Sequence, residues 1–458
     1  VAQSINLMKK KILLLSDDLR MTSGIATMSK EIVLGTIHKY DWVQLGAAIT
    51  HPEFGKVVDV NDDIRKRTGV EDANLKIIPY NGYGDIGILR KLIEEEKPDA
   101  ILHFTDPHYW QWLYDNEHEI RQQVPLLFYH IWDDLPDPKY NRDYYESVDW
   151  LGCISKQTYG IVHRVGKLTD KVTWKPLEDW QISYVPHGIN PDLFKPLDNV
   201  SDDVKKLING DKEYNFILFY NNRNIRRKQP SDVIYAYKLF CDMLPKEESS
   251  KCLLLMHTAA VDENGTDLPA VIEALCPYDV KFTGLKLEQD KLNEIYNLVD
   301  CTINIANNEG FGLTTAESLM AGTPIIANVT GGLQDQMGFG YNENDYITFG
   351  TLHDRKIHGS TKHGEWVIPV WPAAINLNGS VPTPYIFDDR VNNYEVSSAI
   401  AKMYEYGKKK RKKIGLKGRE FMINNLSNKI MCDKMIEGIE QTLENWKPRK
   451  KYDLYKVV

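Results

Sequence analysis

The chain has 458 residues, beyond the roughly 250–300 at which a single core stops growing, so it divides into at least two domains. Hydrophobic residues make up 42% and charged residues 26%, a globular balance that excludes collagen-like, low-complexity and mainly disordered chains. With 56 Lys+Arg against 64 Asp+Glu the formal charge is −8, which excludes bulk electrostatic binding of nucleic acid but not a local basic groove. Six scattered cysteines show no CxxC or Cys/His spacing, so neither a structural zinc site nor a disulfide framework is indicated, and a reducing, cytoplasmic setting is expected. No apolar run approaches the roughly 18 residues of a membrane span, and the opening lacks the layout of a signal peptide. VAQSINL (1–7), ahead of Met8-Lys9-Lys10-Lys11, reads as a cloning remnant before a natural start.

Short β-rich runs alternate with longer amphipathic stretches, the pattern of parallel strands joined by helices. The first series is KKILLLSDD (10–18), WVQLGAAI (42–49), AILHF (100–104), VPLLFYH (124–130), WLGCIS (150–155) and ISYVPHGI (182–189). A polar, proline-bearing stretch over 191–214 interrupts the rhythm. A second series follows: FILFYNN (216–222), CLLLMH (252–257), VKFTG (280–284), CTINIA (301–306) and TPIIAN (323–328). These predict an α/β protein with two Rossmann-like domains, 1–192 and 214–430, joined by a linker over 193–213. A C-terminal helix and tail over 431–458 would pack back on the first domain. The Trp-, Pro- and Gly-rich stretch 337–390 is predicted as an irregular insertion, since no regular helix can be assigned to it. In doubly wound sheets ligands sit beyond the carboxyl ends of strands, which directs attention to Gly24, His130, Arg223 and Glu309.

The most informative stretch is NNEGFGLTTAESLMAGTPIIAN (307–328). It leaves a strand, passes Gly310 and Gly312, turns helical from Thr314, and ends at Gly322 before the next strand. Glycines admit a ligand close to the backbone, and the free N–H groups of the following helix favour an anion such as a phosphate. Glu309 precedes that helix and Glu317 lies about two turns along it. A carboxylate beside a pyrophosphate is costly unless it serves sugar hydroxyls, for which it is a good bidentate acceptor. Independently, FILFYNNRNIRRKQP places Arg223 and Lys228 just past a strand end, where two cations would neutralise a diphosphate.

Glu309 and Glu317, with EGFGL, AESLMAGTPIIA and Gly331-Gly332 in order, resemble the Glu, seven residues, Glu signature of retaining nucleotide-sugar glycosyltransferases of the GT-B fold, most closely glycosyltransferase family 4. The resemblance is strong over 216–334, moderate over 10–191 and weak over 337–390. It implies two Rossmann-like domains facing each other across a cleft, and transfer of a sugar from a nucleotide-diphosphate sugar to an acceptor hydroxyl with retention. It further implies that Glu309 contacts the donor sugar, Glu317 the ribose, and the backbone around Gly310, Phe311, Gly312, Leu313 and Thr314 the diphosphate. Arg223 and Lys228 match the family's basic pair, although Asn222 and Gln229 depart from its flanking glycines, and Arg226 and Arg227 compete for the role. Gly24, in MTSGIATMSKEI (21–32), is similar to the family's glycine-containing first loop. His130 matches its strand-terminal histidine, which approaches the donor sugar. VPHGIN (185–190) resembles the hinge-side turn, with His187 and Asn190 in place of the usual residues. Family members are generally metal-independent; the adjacent pairs Asp17-Asp18 and Asp133-Asp134 are not a DxD, and neither metal nor cofactor is expected.

The acceptor is open. A saccharide comes first, and a hydroxymethylated base in DNA is the alternative; a nucleotide-sugar epimerase would share the architecture. GKKKRKK (407–413) reads as a solvated helix face. Tyr109, Trp110 and Trp112 would either stack on a ligand or pack in the core.

Overall fold

A computed structural model describes residues 9–168, 176–284, 286–339 and 362–450. Residues 1–7, predicted as a cloning remnant, the middle of the predicted insertion (340–361) and the tail 451–458 lie outside the described residues. The first sheet is built from β1 (Lys10–Asp17), β2 (Tyr40–Ile49), β3 (Val58–Asp59), β4 (Leu75–Asn81), β5 (Ala100–Phe104), β6 (Leu126–His130), β7 (Trp150–Cys153) and β8 (Ile182–Tyr184). Its order is β3-β4-β2-β1-β5-β6-β7-β8, parallel throughout except for the short antiparallel β3. The continuous run Ile12–Leu15 is buried on both faces. Ile12 and Leu14 point into one hydrophobic cluster and Leu13 and Leu15 into another, as the two-residue period requires.

The second sheet comprises β9 (Phe216–Asn221), β10 (Cys252–His257), β11 (Val280–Phe282), β12 (Cys301–Asn304), β13 (Ile325–Asn328) and β14 (Val367–Val370), ordered β11-β10-β9-β12-β13-β14 and all parallel. The strand order reverses between β1 and β5 in one sheet and between β9 and β12 in the other. A crevice opens beyond the carboxyl ends at each reversal.

β3, β4, β14, β15 (Ala374–Asn378) and β16 (Ile386–Arg390) were not legible as strands, two of them because of prolines. β4 and β14 each carry a proline, Pro79 and Pro369, which reads as a strand breaker. β14 pairs only with β13, an edge position where the missing N–H is tolerated. The stretch 337–390 is therefore not an irregular insertion in its last third. After β14 come β15 and β16, an antiparallel hairpin.

That hairpin crosses to the first domain. The Phe387 N–H donates to the Leu135 carbonyl at 2.5 Å, the Tyr140 hydroxyl donates to the Tyr385 carbonyl at 3.0 Å, and the Tyr140 and Tyr385 rings meet edge-on at 4.8 Å. At the opposite side the chain passes between domains twice, at Val185–Asn190 and again at Leu426–Asn428. Ile189 donates to the Leu426 carbonyl and accepts from the Asn428 N–H, each at 3.0 Å. A Cβ on Gly188 would clash with the Ser427 carbonyl, so glycine permits the two crossings to touch. The helix Asn428–Asn445 then lies on the first domain, where Tyr40 donates to Glu440 at 2.6 Å and Asn428 to Glu31 at 3.0 Å.

The basic run opens the helix Gly407–Asn425. Its Arg411 is buried and pairs at 2.8 Å with Asp300, at the amino end of β12, so this run lies at the edge of the sheet opposite the crevice. No helix among the described residues is long and apolar enough to cross a membrane.

Candidate active site

Between the two rows of strand ends lies a cleft of about 920 Å³. The first-domain wall begins where β1 ends at Asp17. Ser23 caps the helix Gly24–Thr36 by accepting from the Ala26 N–H at 3.0 Å, and donates its hydroxyl to Asp17 at 2.6 Å. Burial pushes the Asp17 carboxyl up despite that hydrogen bond. Gly24 faces the other domain so closely that a Cβ there would lie 3.3 Å from Leu313 Cδ1. The amino ends of two helices thus meet across the cleft.

His130, the last residue of β6, is fully buried and lines the cleft. Its Nε2 meets the Tyr145 hydroxyl at 2.9 Å, while its Nδ1 has no partner among the described residues. Burial pulls its pKa down to about 3, so the ring is neutral near pH 7, with one nitrogen engaged and the other left for a ligand. Beyond it stand Asp133 and Asp134, and after β5 stands Asp106, which accepts from the His108 N–H at 3.0 Å and meets His108 Nδ1 at 2.7 Å. Trp110 is core; Trp112 hydrogen-bonds the Tyr83 carbonyl; only Tyr109 of that trio is exposed, stacked on Tyr83 at 4.7 Å.

The second-domain wall starts after β9. Lys228 is buried, and its ammonium pairs with the Glu309 carboxylate, which also accepts from Asn304 at 3.1 Å. Burial alone would raise Glu309, yet Lys228 and the nearby Arg227 outweigh it and hold the carboxyl below its usual range. Arg223 lines the cleft mouth with an exposed side chain that reaches Asp262 at 3.5 Å. Arg227, one of its two competitors, faces the cleft as well: it donates to the Asn308 carbonyl at 2.8 Å and pairs with Asp133 of the other domain at 3.2 Å. Arg226, the other competitor, is exposed and does not line the cleft.

The loop Glu309–Gly312 follows β12. Gly312, at φ +85°, precedes the helix Leu313–Met320, which has no side-chain cap, so its first N–H groups are left for a ligand. Gly331 and Gly332 support this loop from behind. A Cβ on either would clash with the Glu309 or Gly310 carbonyl, and the Gly332 N–H donates to the Glu309 carbonyl at 2.9 Å. Gln336 adds bonds to the Phe311 and Gly312 carbonyls at 2.7 and 2.9 Å.

Gly24, His130, Arg223, Lys228, Glu309, Gly310, Phe311, Gly312, Leu313 and Thr314 all line this one cleft. Glu317 does not. It is buried, accepts from the Tyr296 hydroxyl at 2.9 Å, and is pushed by burial up to about 7. Tyr296 in turn accepts from Asn221 at 2.9 Å, which links Glu317 to the strand end beside the cleft. Among the described residues, several cleft-lining atoms are buried without partners: Asn222 Nδ2, Thr258 Oγ1, Thr314 Oγ1 and Asp134 Oδ1. A further hollow of about 500 Å³, lined by Ala260, Phe282 and Thr283, continues from the cleft through His257 and Thr258. Sequence reasoning missed Asp133, Asp134, His257, Thr258 and the hairpin's Thr383. His257 and Thr258 end β10, and the strand-end rule applied there would have found them. Among the described residues no cluster of three or more His, Cys, Asp or Glu side chains is arranged to hold a metal.

Residues 201–348 match the family described as glycosyl transferases group 1. No curated protein matches the chain in sequence. Among solved structures, the sucrose-phosphate synthase of Thermosynechococcus elongatus is similar at TM-score 0.65 and 14% identity, covering 95% of this chain and 100% of that one. A glycosyltransferase from Rickettsia africae ESF-5 gives 0.62 and 16%, covering 95% and 99%. Anabaena Alr3699/HepE, in complex with UDP and glucose, gives 0.61 and 13%, covering 94% and 99%. At such identities the structural likeness establishes the fold. The fold is that of the GT-B glycosyltransferases, two Rossmann-like domains facing each other across a cleft. Group 1 is the family its second domain matches.

Proposed function

We propose that the protein transfers a sugar from a nucleotide-diphosphate sugar to an acceptor hydroxyl with retention of configuration and without a metal, the second domain holding the donor and the first the acceptor. The observation that carries this reading is the buried Lys228–Glu309 pair set beside an uncapped helix amino end. That arrangement offers positive charge to a diphosphate and a carboxylate to sugar hydroxyls within one loop.

The diphosphate would lie against the N–H groups of Leu313 and Thr314, with Arg223 at the mouth. The nucleoside would extend toward Thr258 and the hollow before Phe282. The complexes of Anabaena Alr3699/HepE with UDP and with UDP-glucose make UDP-sugars the first donors to try. In the transfer step the bond from the anomeric carbon to the β-phosphate oxygen breaks and its electron pair leaves with the diphosphate. The acceptor oxygen bonds to that carbon from the same face, and its proton passes to the departing phosphate oxygen. Lys228, Arg223 and the helix end stabilise the leaving charge, while His130 and Glu309 orient the sugar. The six cysteines, all buried and unpaired, suit a cytoplasmic setting.

A panel of nucleotide sugars, scored for thermal stabilisation and for slow release of nucleoside diphosphate, tests the reading, and NMR of the anomeric proton tests retention. Donor conversion without nucleoside diphosphate release would point to an epimerase and refute it.

A further inference from the structure

The proposed transfer leaves the acceptor undefined, and the first-domain wall of the cleft narrows it. Among the described residues that wall contributes no lysine or arginine; its charged side chains are Asp106, Asp133 and Asp134. The cleft's three cations, Arg223, Arg227 and Lys228, all come from the second domain, and each already faces a carboxylate, on Asp262, Asp133 and Glu309 respectively. A donor diphosphate that engages Arg223 and Lys228 leaves only Arg227, which Asp133 and the Asn308 carbonyl hold. An anionic acceptor would therefore meet carboxylates with no free cation to offset them, an unfavourable juxtaposition.

The same wall suits hydroxyl groups. Asp134 Oδ1 is buried without a partner among the described residues, and burial together with the adjacent Asp133 drives Asp134 toward its protonated form. Two carboxyl groups side by side offer several oxygens, a pattern that complements neighbouring hydroxyls on a sugar ring. Thr383, brought over by the β15–β16 hairpin, adds a hydroxyl on the facing side.

We propose that the acceptor is an uncharged polyhydroxyl compound, a neutral saccharide or glycoside, held through its hydroxyls by Asp133 and Asp134, and that this wall, which offers no free cation, disfavours phosphorylated acceptors. This rests on the transferase reading. The test uses the full chain and the donor that the nucleotide-sugar panel selects, so that failure of every donor to release nucleoside diphosphate refutes the transferase reading at that first stage. Acceptors are then offered in matched pairs, free saccharides and methyl glycosides against their 6-phosphates, together with a DNA duplex carrying hydroxymethylated bases. The expected result is acceleration of nucleoside diphosphate release by a neutral member, at least about tenfold over its phosphate. In Asp133→Asn, which removes a carboxylate from the wall and frees Arg227, that ratio should fall by several-fold, a change in selectivity that a merely structural role would not produce. A phosphorylated acceptor or the DNA duplex working better, no acceleration by any neutral member, or an unchanged ratio in Asp133→Asn would overturn the proposal.

Discussion

Replacing Lys228 by Met separates what the buried ion pair does for folding from what it does for chemistry. Lys228 and Glu309 are 9% and 11% exposed, so the variant strands a carboxylate whose remaining neighbours are the Asn304 amide and Arg227. Breaking one side of a buried pair costs about 3–5 kcal/mol. In a domain of this size each kcal/mol moves Tm by about 2–4 °C, so a fall of roughly 10 °C is expected by differential scanning fluorimetry. Neutralising the stranded partner as well, in Lys228→Met/Glu309→Gln, should recover most of that fall, because two uncharged groups replace an uncompensated charge. Turnover should behave differently. Loss of one preorganised group facing the leaving charge costs about 10²–10³ in kcat, and the double variant restores none of it. Nucleoside diphosphate release measured beside the melting curves decides the matter. A double variant no more stable than the single one would refute the charge argument, and recovered turnover would refute the catalytic one.

Other outcomes follow from single contacts. Glu317 has a carboxyl raised from 4.5 to about 7, so the folded state binds more protons than the unfolded between those values and stability falls as pH rises through that window. Glu317→Gln should therefore gain on the parent protein by up to about 3 kcal/mol at pH 8 and by little at pH 4.5; parallel Tm–pH curves would contradict this. Gly332→Ala drives a methyl into the Gly310 carbonyl, and should cost about 1–3 kcal/mol and raise the donor KM more than it lowers kcat. Tyr385→Ala removes the edge-on contact with Tyr140 and the bond that the Lys139 N–H donates to the Tyr385 hydroxyl at 3.1 Å. It should weaken the hairpin's hold on the first domain by about 1 kcal/mol, seen as a larger radius of gyration by X-ray scattering without donor.

The parts of the molecule that a reader of the sequence can recover are those decided locally. β1 and β9 announce themselves because both faces are covered, which demands unbroken apolar runs. The Glu309–Gly312 turn is equally legible, since a left-handed residue ahead of a helix calls for glycine. β4 and β14 were hidden by prolines that only their place in the sheet makes acceptable. Among Arg223, Arg226, Arg227 and Lys228 sequence alone cannot rank burial, because that depends on how a short turn seats against the loop after β12. Asp133 was passed over as half of a pair with the wrong metal pattern. Its partner is an arginine in the other domain, and no local spacing encodes a contact across a cleft.

The paired crossings at Gly188 and Ser427 also constrain how the protein moves. Two strands of chain bridged to each other at the domain boundary resist sliding and stretching, which leaves rotation about their common line as the soft coordinate. The hairpin then works like the catch on a door, since swinging the domains apart breaks its bonds to Leu135 and Tyr140. Motion along one angle can be followed with one distance. A single pair of labels, one on each domain and remote from the hinge, would track opening through a whole catalytic cycle, and would separate the time spent releasing product from the time spent on transfer.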